Sequence, residues 1–596
     1  MGKRPGFPLL IVALWLGLPI SASAQLQVEG KPQWGFDGLV RSEQFNLLTI
    51  DVANLSDRPW EGNFILEAGT GLSRSDIPIL QPDQFIEAFG RRRLQFVVFV
   101  PRRNEYMLKW GRRPDQSYQI DEPDEAREPA IVQFVRPEAV RAGVDGVPTF
   151  DESEFPTSAA GLTGLGTVIL DHVPRWSEAQ TQAFSDWILA GGTVHLFQET
   201  AGITPEFSGR LQSLNEPSDV FPLGGGIVYR HKSTAQQSET SFSKIRKAGQ
   251  YYRQWNVSDS LFTILKEITR PQHNWIVIYL LAVAYLLLLF PGCWLLGRKR
   301  GDYRITYGAV LGIIALFSFG FRTVGARGYG ESTSINAVAV VRPTSGGRAV
   351  VTMWSNLFVT SGSNYDIRHP FEGNVYSTGQ MIEAVPGFAL NRPIGRVQTE
   401  IPSFSSRTLV NTGVVNDFRL TPDREPFQID LVDAKLTGGG LTELSVRVQG
   451  LSSDASLFVV SGDRLAALRD IGDGTHRLQS PAQMLGQAIN QDFWRVNRNY
   501  SGVNEATTDQ LLQKTRTLLL SWDLGLSSDE ERNTFKLPEG EIRVYAEVDL
   551  PPALHTPSIS EQQRGRALIV VPFHIDENSG ESTPVESADA SESEKE

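Results

Sequence analysis

Short runs of β-branched and aromatic residues, separated by polar turns, make up most of this chain. Two internal stretches break that pattern by holding apolar residues without interruption. The first, Trp275 to Leu296 (WIVIYLLAVAYLLLLFPGCWLL), has 22 residues and no charge. At about 1.5 Å per residue it is long enough to cross a hydrocarbon core of roughly 30 Å. Trp275 and Trp294 fall near its ends, where indole rings favour the interface. The second, Ile305 to Phe321, has 17 residues, at the short end for a span. Gly308 and Gly312 within it form a GxxxG pair that would permit close helix packing.

The pattern predicts a two-helix membrane hairpin, 275–296 and 305–321. The loop between, 297–304, carries Arg298, Lys299, Arg300 and Arg304, which marks it as cytoplasmic. The N-terminus agrees. Lys3 and Arg4 precede an apolar stretch from Phe7 to Ile20, and Ala22-Ser23-Ala24 matches a cleavage site. Residues 1–24 therefore read as a signal peptide, with an uncleaved anchor as the alternative. No cysteine follows the cleavage site, so this is not a lipoprotein signal. Export of the N-terminal region puts residues 25–274 outside, and the hairpin returns residues 322–596 to the same side. The expected location is a bacterial inner (cytoplasmic) membrane with both large regions extracytoplasmic.

Residues 25–125 alternate as strands. FNLLTIDVAN and WEGNFILEAG flank the turn LSDRP, and RRRLQFVVFVP and EYMLKWG follow. This spacing predicts a small immunoglobulin-like β-sandwich. Arg91, Arg92, Arg93, Arg102, Arg103, Lys109, Arg112 and Arg113 lie between residues 91 and 113, opposed only by Glu105. The arginines are a candidate basic interaction face for an acidic partner or anionic lipid; solvated strand ends are the plainer reading.

The acidic linker YQIDEPDEAREP closes that unit, and from AIVQFV (130–135) to residue 232 strands alternate with helices, which predicts a parallel sheet. The clearest unit is VILDHVPRWSEAQTQAFSDWILAGGTVHLF. Ser177 with Gln180 makes a capping box. Trp176, Ala179, Ala183, Phe184, Trp187 and Ile188 recur on one helical face. Gly191 permits the left-handed residue that ends a helix, and Thr193 to Phe197 forms the next strand.

This unit, with the later FPLGGGIVYR, resembles the class I glutamine amidotransferase-like domain found in bacterial membrane proteins. A helix of the form xxQxxAxxxWxxxGG feeds a strand there, and a glycine-rich strand follows. The resemblance covers roughly residues 130–232 and implies a flavodoxin-like α/β fold. It also implies a cysteine nucleophile helped by a histidine and an acid. This chain has one cysteine, Cys293, in the first apolar run, so the resemblance is to a degenerate member without its nucleophile.

Other chemistries leave little trace. Asp171 and His172 stand at a strand end, where catalytic groups often sit, and are weak catalytic candidates beside the reading of ordinary polar residues. His195 and His231 lie in the same region, with His195 alternating in a strand as a structural residue. The eight histidines include no pair three or four apart, and G-x-S-x-G, H-E-x-x-H and P-loop motifs are absent. Gly224-Gly225-Gly226 is either a tight turn or an anion-binding nest. DIGDGTH, around Asp470 and Asp473, resembles a calcium loop but lacks its terminal Glu, and reads as a turn.

Residues 335–575 read as a β-rich region of one or two sandwiches, with one helix near Asp509–Leu520. Residues 576–596 hold eight acids in 21 residues and read as a disordered acidic tail. The net charge of -12 argues against nucleic acid as a partner. A single cysteine excludes internal disulfides, Cys-based zinc sites and iron–sulfur clusters, and no cofactor or metal is implied. The sequence reading is therefore a multidomain, non-catalytic integral membrane protein of the bacterial envelope. It would use its extracytoplasmic domains to bind envelope proteins or a ligand. An auxiliary subunit of an ABC-type transporter or export system is one alternative; a hydrolase with an unrecognised site is another.

Overall fold

The computed structural model describes residues 26–575 except 71–72, 102–103, 127, 138–143, 145, 200–201, 238–255, 270–274, 301–302, 329–331, 380–384, 392–394, 438–439, 453–454, 480, 491–507, 527 and 560–561. The signal peptide expected at 1–24, the acidic tail at 576–596, Arg102 and Arg103 lie outside the described residues. The fold is multidomain and mostly β-sheet, with several sheets and two apolar helices.

The N-terminal strands pack as two sheets. Leu26–Trp34, Gln44–Asn54 and Arg91–Val100 form a three-stranded antiparallel sheet. Trp60–Thr70 and Ser73–Ile86 pair as a long hairpin in the facing sheet, joined by Tyr106–Lys109 and Ser117–Ile120. Ile50, Phe64, Phe96 and Leu108 fill the space between. The spacing of residues 25–125 predicts a small immunoglobulin-like sandwich; in the structure the second sheet of that segment continues into strands from beyond the two apolar helices. Gly387–Leu390 runs parallel to Ser73–Ile86, with Ala389 opposite Ile79 and Leu390 opposite Leu80. Arg396–Ile401 and Ser363–Ile367 complete seven strands. The edge hydrogen bonds of Ser73–Ile86 need a partner, and no local pattern says where in the chain it comes from.

The alternating segment forms a six-stranded sheet in the order Thr149–Asp151, Ala130–Val135, Leu165–Leu170, Thr193–Gln198, Gly226–Thr234, Val220–Leu223. The first five are parallel and the last is antiparallel. Helix α1, Glu178–Leu189, begins at the Ser177–Gln180 capping box. Its face of Ala183, Phe184, Trp187 and Ile188 is buried against Phe134, Phe150 and Phe155. The glycines after α1 are there for contact. A Cβ on Gly192 would stand 2.6 Å from the Trp187 ring, and one on Gly226 would stand 2.3 Å from the Ile188 carbonyl oxygen. Gly225 N–H donates to the Leu189 carbonyl at 2.8 Å, so the triple glycine closes the helix end onto the sheet as a tight turn.

Helix α2, Val257–Thr269, leads to the apolar helices. Helix α3, Trp275–Leu287, passes through a π turn, Leu288–Gly292, containing Pro291, into helix α4, Cys293–Arg300. Proline lacks the N–H that would continue the ladder, which accounts for the local widening. Helix α5, Tyr303–Gly328, returns. Ile276–Lys299 and Tyr303–Gly320 are each long and apolar enough to cross a membrane, and little of either is buried against the rest of the chain. The basic residues expected in a loop instead extend the helix ends. Tyr285 meets Phe317 at 5.3 Å between ring centres, and Gly320 faces Leu281. Gly308 and Gly312 have nothing within 4 Å of where a Cβ would stand, so the GxxxG pair does not join the two hairpin helices.

Beyond the hairpin a twelve-stranded sheet is built on Ser334–Pro343, Ala349–Val359 and Ser405–Val415, with Gln562–His574 parallel to the first. Every residue of Ala349–Val359 is buried, because both faces are covered. Helix α2 and the helix Thr508–Asp523 lie on one face, with Leu261, Leu265, Trp354 and Trp522 in the shared core. The expected helix at 509–520 lies within Thr508–Asp523. Asp470 accepts from Gly472 N–H at 2.8 Å in the turn of DIGDGTH.

Candidate functional site

The parallel sheet decides where polar groups gather. Strands Ala130–Val135, Thr149–Asp151 and Leu165–Leu170 run the same way, so their C-terminal ends share one edge. Asp171 and His172 follow Leu170 there. Glu152 opens a single 3-10 turn after Thr149–Asp151, in which Asp151 Oδ1 accepts from Ser153 N–H at 2.8 Å.

His172 bridges two carboxylates. Its Nδ1 lies 2.6 Å from Asp171 Oδ1 and its Nε2 lies 2.8 Å from Glu152 Oε2. The His172 side chain is 2% exposed, and both acids are buried. A neutral imidazole carries one N–H, so two such contacts need a second proton on the ring or on a carboxylate. With both nitrogens engaged, neither is free to take a proton from a substrate in this arrangement. Gln133 Nε2 reaches Asp171 Oδ2 at 3.5 Å, and Gln133 Oε1 accepts from Val144 N–H at 2.8 Å. Trp176 covers the cluster. Its Nε1 donates to the Glu152 carbonyl at 3.0 Å, and its ring stacks on Phe155 at 4.5 Å.

A second pair joins neighbouring strands. His195 Nδ1 lies 2.9 Å from His231 Nε2, with Tyr229 stacked on His195 and Phe197 on His231. Burial, and then the neighbouring His231, push the His195 pKa down to about 4. Burial also lowers His231. Both rings are therefore neutral at pH 7. Two imidazoles alone do not make a metal site, and among the described residues no group of three His, Cys, Asp or Glu stands ready to hold a metal.

The candidate basic face is divided by the fold. Arg91 pairs with Glu29 at 3.0 Å. Arg93 forks onto Asp51 at 2.8 and 3.1 Å and also meets Glu154 at 2.7 Å. Arg92 donates to the Phe85 carbonyl at 3.2 Å and stays exposed. Arg112 and Arg113 are exposed on the turn after Tyr106–Lys109, in the other sheet. Two of the arginines are thus engaged with acids of this chain.

Asp171 and His172 were visible as a pair in the sequence. Glu152, nineteen residues before Asp171, carried no signal, because only the parallel register sets it beside them. His195 and His231 are likewise separated in the chain and joined by strand pairing.

No family model matches the chain, and no curated protein matches it. Among solved structures, it is similar to a Paenibacillus sp. cycloisomaltooligosaccharide glucanotransferase complexed with cycloisomaltoheptaose, at 10% identity. That alignment covers 77% of this chain and 99% of the other, with a TM-score of 0.14. A score that low carries neither fold nor activity across.

Proposed function

We propose that this chain is a non-catalytic integral membrane protein of the bacterial cell envelope. Its hairpin anchors an extracytoplasmic body that binds protein partners at the inner-membrane surface. The observation that carries the non-catalytic reading is His172, held between Asp171 and Glu152 with both nitrogens occupied. The one thiol, Cys293, lies in the apolar hairpin, away from the parallel sheet. On this reading the 130–232 unit is an amidotransferase-like scaffold whose acid–imidazole pair has become a structural tie.

The shared seven-stranded sheet supports the topology. Residues before and after the hairpin pair strand to strand, so both must lie on one side of any membrane the helices cross. Two spans satisfy that condition, and the basic residues at 298–300 and 304 favour the cytoplasm for the turn.

The test uses the full chain in its native membrane. The paired variant Asp171→Asn, His172→Gln should retain the cellular phenotype when folded protein is present at the wild-type level. Crosslinking in intact cells should recover a defined envelope protein. Loss of phenotype with folded protein unchanged would return the site to catalysis, and recovery of the chain alone would remove the binding role.

A further inference from the structure

Two turns project from the end of the large sheet that lies nearest the hairpin. Helix α2 ends at Thr269 and α3 begins at Trp275, while α5 ends at Gly328 and the next strand begins at Ser334. Each connection is six steps of chain, at most about 20 Å when extended. Thr269 is fixed to this end of the sheet. Its Oγ1 accepts from Asn356 Nδ2 at 2.7 Å and from Asn336 Nδ2 at 3.0 Å. Both tethers therefore hold the Ser334 end of the sheet close to the membrane helices.

The strand register shows what else lies there. Ser334 is opposite Phe358, and Phe358 is opposite Ser406. The turns at 360–362 and 402–404 therefore extend past this end, roughly 5 to 10 Å across the sheet from Ser334. They brace each other, since Gly362 N–H donates to Ser403 Oγ at 2.9 Å. Ser405 Oγ donates to the Pro402 carbonyl at 2.6 Å, and Tyr365 Oη donates to the Ser361 carbonyl at 2.7 Å.

Neither turn carries a charge. Charged residues make up 21% of the sequence, yet LFVTSGSNY (357–365) and IPSFSS (401–406) contain none. At the tip stands Phe404, 52% exposed, with φ of +55°. The left-handed region costs a bulky residue on the order of 1 kcal/mol, which the rest of the turn must offset, and about half of the residue's surface stays exposed. An uncharged turn can enter the headgroup zone without stripping water from a charge, and aromatic rings favour that zone.

We infer that the Phe404 turn sits in the outer interface of the bilayer that the hairpin crosses and fixes the extracytoplasmic body against the lipid surface. This rests on the membrane-spanning reading of the two helices.

The test places single nitroxide labels on the full-length chain in lipid nanodiscs, in a Cys293→Ala background. Labels go on Phe404→Cys, Ser361→Cys, Leu316→Cys in α5 and Ser345→Cys. Ser345 lies at the opposite end of the same strands, roughly 30 Å from Ser334. Collisions with oxygen and with a water-soluble nickel chelate are measured at each. The label at 316 should favour oxygen, and that at 345 should favour nickel. At 404, and at 361 beside it, nickel access should fall several-fold below that at 345. Lipid exposure at 316 with nickel access at 404 equal to that at 345 overturns the anchor alone. Water exposure at 316 overturns the membrane reading and the anchor with it.

Discussion

Arg348 grips Asp186 with both arms of its guanidinium, Nη2 to Oδ2 at 2.7 Å and Nε to Oδ1 at 3.2 Å. Asp186 belongs to helix α1 of the parallel-sheet unit, and Arg348 leads into the central strand Ala349–Val359 of the large sheet. The remaining Nη1 reaches Glu372 at 3.0 Å and Asn416. One planar cation thus joins regions that lie before and after the apolar hairpin in the chain. Asp186 is nearly inaccessible, so removing its partner leaves a buried charge. Arg348→Ala should cost about 3 kcal/mol in a denaturation midpoint. Arg348→Lys should recover only part of it, because an ammonium cannot bind bidentately. A double-mutant cycle with Asp186→Asn should show strong coupling, and additive effects would rule the pair out as a tie.

Asp523, like the buried histidines, predicts a loss of stability on acidification, but in a lower pH window. Burial alone would raise its pKa, but Arg342 and Arg543, with the Tyr545 hydroxyl at 2.9 Å, outweigh burial and hold the carboxyl below its ordinary value. A carboxyl depressed in the folded state adds stability above the unfolded pKa, near 3.8, and loses it as pH falls through the folded value. Asp523→Asn should therefore cost about 3 kcal/mol at pH 7. The gap between variant and wild type should narrow below about pH 4. A gap that stays constant down to pH 2 would contradict the depressed carboxyl.

For His195 the linkage has the same sign at higher pH. Its folded pKa of about 4 lies below the unfolded 6.5, so the unfolded chain takes up the proton first. Stability is complete above pH 6.5 and declines as pH falls toward 4. The loss at this residue amounts to about 3 kcal/mol. His369, buried with Tyr376 and Thr556 on its two nitrogens, is lowered further, to about 3, by burial. His195→Gln should flatten the fall in melting temperature between pH 6.5 and 4.5 relative to wild type. An unchanged slope would show that other groups govern acid lability.

Two glycines separate contact from exposure. Gly226→Ala would drive a methyl into the Ile188 and Gly192 carbonyl oxygens, at 2.3 and 2.4 Å. It should lower stability by more than about 2 kcal/mol and loosen α1 in hydrogen exchange. Gly308→Ala meets nothing within 4 Å and should leave the melting temperature of the purified protein in detergent unchanged. Equal effects at the two positions would refute the packing described.

A protease site inserted at residues 301–302 tests the shared sheet. After cleavage the two fragments should remain together through gel filtration in detergent, because the 387–390 and 73–86 strands pair across the cut. Separation under native conditions would mean the two regions fold apart.

The local signals were legible because each depends on neighbours in the chain. The capping box of Ser177 and Gln180, the apolar face from Trp176 to Ile188 and the two apolar runs are short-range patterns, set by helix period and length. What the tertiary structure alone decided depends on strands meeting from far apart. Parallel register set Glu152 beside His172, so that the candidate pair Asp171 and His172 shares a buried contact with a second carboxylate. It also brought His195 to His231. Strand order lent the N-terminal sheet three strands from beyond the hairpin, and side-chain geometry spent Arg91 and Arg93 on Glu29, Asp51 and Glu154. Hydrophobic period tells a segment what to become, but a strand edge or a charge accepts any suitable partner, and only the folded chain selects one.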